Sequence, residues 1–454
     1  MRNKTSENII ATVGRVTLLL LSLMLISSPA YALDVTRKML PDGLIVLQSE
    51  RHSLPVVMLT LLVKASPLDE PEDKAGTAYL TAKMLMEGTA RRTASDINEE
   101  IDFIGASLAA GVNKDYSVIS LSVLKKDLDK GFDLFSDILT NPSFPEVELK
   151  RNKEQLKGTL RQQEEEPSFV AERAFIKEVF GRHPYGRLVE GNVESIDNIT
   201  VEDLVAFYRS HYLPARAILT VGGDITAAEL QSLMDRHLGK WLSGRGDGAG
   251  TARQKAAETP LQALRKVVVI DKDITQANII LGNLGISRDN PDYYAVSVMN
   301  YILGGGGFAS RLMKSVRDDM GLAYSIYSAF YGNKEPGQFE VVVQTKIESA
   351  GTVIAETLKN IERIRTGPVS DKELSDAKSY LTGSFPRRLE TTSKIVDFLS
   401  AVEFYGLGKD YIEKYPGYIN SITKEDVLRV AKKYLDSANY VLVVVGKKDL
   451  LKLP

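Results

Sequence analysis

Ala75-Gly-Thr-Ala-Tyr-Leu-Thr-Ala-Lys-Met-Leu-Met-Glu-Gly-Thr89 decides how this chain is read. Its apolar residues suit a helix that faces a core. Tyr79, Ala82 and Lys83 are spaced i, i+3, i+4 and so share one helical face. By itself the stretch is equally well an ordinary amphipathic helix. Its meaning depends on the rest of the chain.

The chain has 454 residues, more than one hydrophobic core usually spans, so two or more domains are expected. At 44% hydrophobic and 26% charged it has the composition of a globular protein. With 57 basic and 59 acidic residues it offers no field for nucleic acid. It contains no cysteine, which excludes disulfides, thiolate zinc sites, iron–sulfur clusters and a lipid-anchored cysteine. The 4 histidines are His52, His183, His211 and His237. None lies near enough to another in sequence to form a local ligand pair.

Arg2, Lys4 and Arg15 precede an apolar run, Val16 to Ile26, and then Pro29-Ala-Tyr-Ala32. This is the pattern of a secretory signal cleaved after Ala32. The run is too short for a comfortable membrane span, so no stable span is expected after signal removal. The expected location is a bacterial periplasm.

Along the chain, Lys38 to Gln48 reads as a hairpin about Pro41-Asp-Gly43, and Pro55 to Val63 as a buried strand. Ser95 is expected to cap a helix from Asp96 to Ile104, ended by Gly105. Tyr116 to Val123 reads as a strand, Leu128 to Leu139 as an amphipathic helix, and Pro145 to Glu166 as a long polar helix. His183-Pro-Tyr-Gly186 reads as a turn. Thr200 caps a further helix, and Ala217 to Val221 is a strand. Residues 243–260 have no apolar periodicity and read as a linker. Beyond it the plan repeats. Ile199-Thr-Val-Glu-Asp-Leu204, then Tyr212, then Ala217 to Gly222 parallels Ile422-Thr-Lys-Glu-Asp-Val427, then Tyr434, then Tyr440 to Gly446. Such a half-length repeat means two copies of one α+β domain. The expected division is 33–242 and 261–454.

Residues 75–89 resemble the signature helix of the pitrilysin/insulinase family of inverted zinc peptidases, written roughly A-G-x-A-H-x-x-E-H-M-L-x-x-G-T. Ala75, Gly76, Ala78, Met84, Leu85, Gly88 and Thr89 match that frame. Tyr79 and Lys83 stand where the family has its two histidine ligands, and Ala82 where it has its catalytic glutamate. The third ligand, a glutamate, would fall at Thr159, and a register error of one turn would bring Glu154 into question. A zinc site needs neutral imidazoles and a carboxylate, so the resemblance implies a site built and then emptied, with no cofactor in this chain. For the fold it implies two antiparallel-rich sheets packed with helices, facing each other like a clam about a chamber.

In the second half, Gly304-Gly-Gly-Gly307 precedes Arg311-Leu-x4-Arg317-x3-Gly-Leu-Ala-Tyr324. No G-K-[ST] follows the glycines, which argues against a phosphate loop and leaves a flexible turn between helices. In the family the glycine segment (Gly304, Gly305, Gly306 and Gly307 here) helps position substrate. An arginine and tyrosine at the separation of Arg317 and Tyr324 hold the substrate backbone there. A guanidinium and a phenol can both donate to a carbonyl oxygen as it gains charge. Some family members are heterodimers in which one subunit brings zinc and the other this pair. The expectation is a non-catalytic subunit that binds unfolded peptide as an added strand and completes a zinc-bearing partner's site. The alternatives are a homodimeric, non-enzymatic peptide-binding protein, and a peptidase using Lys83 as nucleophile or base.

Overall fold

The computed structural model describes residues 33–243 and 265–453. The signal segment 1–32, and the expected linker apart from Ser243, lie outside the described residues. Two sheets divide the rest. The first has strands β1 (Thr36–Met39), β2 (Ile45–Glu50), β3 (Val56–Val63), β4 (Ser107–Val112), β5 (Ser117–Leu124) and β6 (Ala217–Gly223), in the order β1-β2-β6-β3-β5-β4. The second has β7 (Lys266–Asp271), β8 (Gln276–Leu284), β9 (Ala323–Gly332), β10 (Pro336–Lys346) and β11 (Val441–Gly446), in the order β7-β11-β8-β10-β9.

The repeat seen in the sequence is a repeat of topology. In each half one pair is parallel, β2 with β6 and β7 with β11. All other pairs are antiparallel, β3 with β5 and β6 matching β8 with β10 and β11. β1 is the first sheet's extra edge strand. The hairpin that adds it turns at Gly43, whose φ of +89° favours glycine, while Asp42 accepts a hydrogen bond from the Leu44 amide at 3.0 Å.

The first half's longer helices are α1 (Thr77–Met84), α2 (Ala94–Phe103), α3 (Leu128–Thr140), α4 (Glu146–Gln163), α5 (Pro167–Phe180), α6 (Val193–Asn198), α7 (Val201–His211) and α8 (Ala227–His237). The second half's are α9 (Tyr293–Asn300), α10 (Ala350–Thr366), α11 (Asp371–Ser384), α12 (Thr392–Tyr405), α13 (Tyr411–Asn420) and α14 (Lys424–Tyr434). One expected cap moves. Thr93, not Ser95, caps α2, because the Thr93 hydroxyl accepts from the Asp96 amide while Asp96 reaches back to the Thr93 amide. Ser95 lies inside the helix, its hydroxyl on Glu99.

Each half gives one helix to the other's sheet. α5 belongs to the first half by sequence, yet Val170, Ala171, Phe175, Ile176 and Phe180 pack on Ile280, Val441, Val443 and Val445 of the second sheet. Fully burying each of the two phenylalanines is worth roughly 1.5–3 kcal/mol. Reciprocally, α12 lies over β6 and β3. Ser400 donates to Thr220 at 2.8 Å, and a Cβ on Gly222 would sit 2.8 Å from a Val396 methyl, so the strand is close against the helix. The junction also holds a buried carboxylate. Asp115 accepts from the Tyr185 hydroxyl, from the Tyr405 hydroxyl at 3.0 Å and from the Lys334 amide at 2.9 Å, tying the β4–β5 turn to α12 and the β9–β10 turn.

Candidate functional site

The signature helix α1 begins at Gly76, whose φ is +100° and where a Cβ would meet the Glu190 carbonyl oxygen at 2.5 Å. Glu70 belongs to no motif in the sequence, yet this buried side chain caps the helix. Its carboxyl oxygens accept from the Gly76 amide at 2.9 Å and the Ala78 amide at 2.8 Å. Burial pushes the Glu70 carboxyl up to about 7, although the two amides and Arg187 pull the other way. An acidic residue shortly before a helix start was the only signal available for it.

The frame residues have structural work. Ala75, Ala78, Met84 and Leu85 are buried. The Ala75 carbonyl accepts from Ser195 at 2.8 Å, which anchors α1 to α6. Thr89 donates to Asp137 at 2.7 Å, and Asp137 also takes Arg91 at 2.9 Å and Arg92 at 2.8 Å. This network ties the end of the motif to α3.

The chemical positions lie differently. Tyr79 is half-buried, and burial raises its phenol above the ordinary range. Ala82 is buried. Lys83 is half-buried, and its side chain makes no hydrogen bond or ion pair among the described residues. On α4, Asn152 faces α1, its amide against the Met84 sulfur at 3.8 Å. Thr159, two turns on, is exposed and gives its hydroxyl to the Gln155 carbonyl at 3.1 Å. Glu154 is exposed and paired with Lys157 at 2.7 Å.

A phenol, a methyl group, an ammonium and an occupied hydroxyl do not make a zinc site. Among the described residues no three acidic or histidine side chains come close enough to hold a metal ion. Three of the histidines have other duties. His52 meets Asp224 at 2.6 Å, His237 meets Asp129 at 3.3 Å, and His183 accepts from the Tyr185 amide at 3.1 Å within a short turn. The family's zinc therefore does not fit the residues of this motif.

The second constellation stands against the other sheet. Arg317 lies in a π-helical segment, Met313–Asp319, and a second such segment spans Tyr301–Gly305. Such segments often mark functional sites. Gly321, at φ +63°, ends the turn, and Tyr324 stands at the start of edge strand β9, 87% exposed. The guanidinium carbon lies 5.2 Å from the Tyr324 ring centre. Arg317 has no ion pair or side-chain hydrogen bond among the described residues, and its neighbour Asp319 is taken by Lys314 at 2.8 Å.

The glycine segment differs from a flexible turn. A Cβ on Gly304 would meet Ser328 at 2.5 Å, one on Gly305 Asn300 at 2.6 Å, and one on Gly306 the Tyr301 carbonyl at 2.6 Å. These three glycines let the backbone pack closely. Only Gly307, at φ +56°, faces open space. The structure thus gathers Arg317, Tyr324 and the glycine segment on the second half, and Tyr79, Ala82, Lys83 and the α4 positions on the first.

Comparisons with known proteins place the chain in a family. The family described as Insulinase (Peptidase family M16) matches residues 45–192, and the one described as Peptidase M16 inactive domain matches residues 198–381. A crystal structure of a peptidase M16 inactive domain from Pseudomonas fluorescens is 30% identical with a TM-score of 0.84, covering 92% of this chain and 100% of that one. The chain belongs to the M16 peptidase family and is a homologue of its inactive domain. Among curated relatives, an uncharacterized zinc protease of Streptomyces coelicolor is 26% identical over 91% of this chain and 90% of its own. The "Non-peptidase homolog YmxG" of Helicobacter pylori is 25% identical over 89% and 92%. A protease structure from Helicobacter pylori, 20% identical with a TM-score of 0.83 over 91% of this chain and 99% of that one, shares the fold.

Proposed function

We propose that this chain is the non-catalytic subunit of a heterodimeric zinc metallopeptidase, working in a bacterial periplasm after its signal segment is removed. The partner is a homologous subunit with an intact H-x-x-E-H motif, and zinc is bound only there. This chain supplies Arg317 and Tyr324, which hold the backbone of an unfolded peptide beside the partner's metal. The peptide lies extended, and the unpaired outer edges of β4 and β9 suit an added strand.

One observation carries this reading. A guanidinium with no anionic partner among the described residues stands beside an almost fully exposed tyrosine, in a chain whose own metal positions hold no ligands. Such a cation is free to donate to a carbonyl oxygen that gains negative charge.

The test mixes the purified mature chain with the H-x-x-E-H homologue from the same genome and follows cleavage of a labelled unfolded peptide. Cleavage is expected only in the mixture. Arg317→Ala should lower kcat/KM by roughly 100-fold, the scale of losing one donor to a developing oxyanion. Full activity of the Arg317→Ala mixture would refute the assignment. A stable homodimer that binds peptide and gains nothing from the partner would instead establish a non-enzymatic peptide-binding protein.

A further inference from the structure

We propose that Phe308 is a positioning residue, holding the Arg317 guanidinium with its N–H groups presented to an extended peptide. This inference rests on the reading of Arg317 as a peptide-binding group.

Phe308 follows Gly307 at the end of the glycine segment and is 70% exposed. A phenylalanine in a packing role would be buried, and leaving it in water forgoes most of its roughly 1.5–3 kcal/mol of burial free energy. Its ring centre lies 4.6 Å from the Arg317 guanidinium carbon, closer than that of Tyr324 at 5.2 Å. Both distances are within the range where a ring face attracts a cation. Guanidinium N–H bonds lie in the plane of the group, so a ring against its face takes none of its donors. Two rings can therefore fix an arginine that no carboxylate holds while leaving its hydrogen bonds for a ligand.

The segment carrying Phe308 is built to be stiff. Gly304, Gly305 and Gly306 are packed so closely on Ser328, Asn300 and Tyr301 that none has room for a side chain. Gly307 then adopts φ +56° and the chain enters the short turn Gly307–Ala309. The glycines thus provide a pedestal with a fixed exit, and the first side chain beyond it is Phe308. On this view the segment serves the peptide through Arg317 rather than by touching phosphate or metal.

The test uses the full mature chain and a short fluorescein-labelled unstructured peptide, with anisotropy as readout and no partner present. Phe308→Ala should weaken binding roughly three- to thirtyfold, the range of a cation–π contact. Phe308→Tyr should restore it and Phe308→Leu should not, since the ring and not apolar bulk is what matters. In the Arg317→Ala background, Phe308→Ala should have almost no further effect. Thermal melting should be unchanged in the Phe308 variants, because that side chain is exposed. Equal losses from Phe308→Ala with and without Arg317 would overturn the proposal by showing that Phe308 touches the peptide independently. An effect of Arg317→Ala with none of Phe308→Ala would overturn it while sparing the reading of Arg317. If the peptide binds and neither substitution matters, or no peptide binds at all, both fail together.

Discussion

Replacing Phe175 by alanine tests whether the exchanged helices make the two halves one cooperative unit. Phe175 is fully buried on α5 within the cluster that covers Ile280, Val441, Val443 and Val445. Truncating such a phenylalanine costs about 3–5 kcal/mol. The damage falls on the second sheet although the residue lies in the first half of the chain. The chain has 1 tryptophan, Trp241, whose indole N–H donates to the Tyr212 carbonyl at 2.9 Å inside the first half's core. Its fluorescence therefore reports the first half's own core, a different cluster from the one that holds Phe175. With a urea slope of about 3 kcal/mol/M, the Trp241 transition should fall by about 1 M or more if the halves unfold together. Val396→Ala on α12 should move the same transition by about 0.7 M, from roughly 2 kcal/mol of lost burial and cavity cost. The reasoning is refuted if Phe175→Ala leaves the Trp241 midpoint in place while circular dichroism shows a separate step at lower urea. That outcome would mean two independently stable halves, with α5 merely resting on its neighbour.

Three further outcomes can be measured. Glu70 is held at about 7 in the folded protein against an ordinary 4.5, so the folded state keeps a proton that the unfolded state releases. Its contribution is therefore fully present below pH 4.5 and lost as pH rises to about 7, by about 3 kcal/mol; Glu70→Gln should flatten that part of the stability–pH curve, and an unchanged slope would refute the assignment. Gly191→Ala should destabilise strongly, by more than about 3 kcal/mol, because its Cβ would fall 2.1 Å from the Ala75 carbonyl oxygen at φ +81°; a melting temperature near that of the parent would count against the backbone contact. Rebuilding the ligands with Tyr79→His, Ala82→Glu, Lys83→His and Thr159→Glu should yield about one zinc per chain by atomic absorption; failure here, with rescue on moving the α4 glutamate one turn, would show Thr159 to be the wrong register.

The elements legible in the sequence carry their own instructions. β3 is an unbroken β-branched and apolar run, β6 ends in two glycines, and the capping boxes at Thr200 and Thr423 mark their helices outright. β4 was missed because Ser107-Leu-Ala-Ala-Gly-Val112 is poor in strand-forming residues and gains its pairing only from β5. α5 and α12 were missed for a different reason. Their apolar residues specify helices of modest amphipathicity, and the surfaces they bury lie about a hundred residues or more away in the other half. The π-helical segment around Arg317, which lies against β9, had no local signal either.

The two kinds of position in the signature stretch explain why its frame can persist without its chemistry. Ala75, Ala78, Met84 and Leu85 are buried, Gly76 has a backbone shape that other residues resist, and Thr89 anchors a charged network. Changing any of these costs stability. Tyr79 and Lys83 are half-open to solvent, so they can depart from ligand identity without disturbing the core. A match in the frame therefore reports fold, and only the positions between report activity. The second half obeys the opposite logic. Tyr324 and Phe308 are mostly in water and Arg317 has no anionic partner among the described residues, so nothing in the packing calls for an arginine beside two exposed rings. A feature that the fold does not need, placed on a stiff loop and an edge strand, is what the proposed peptide-binding role of Arg317 accounts for.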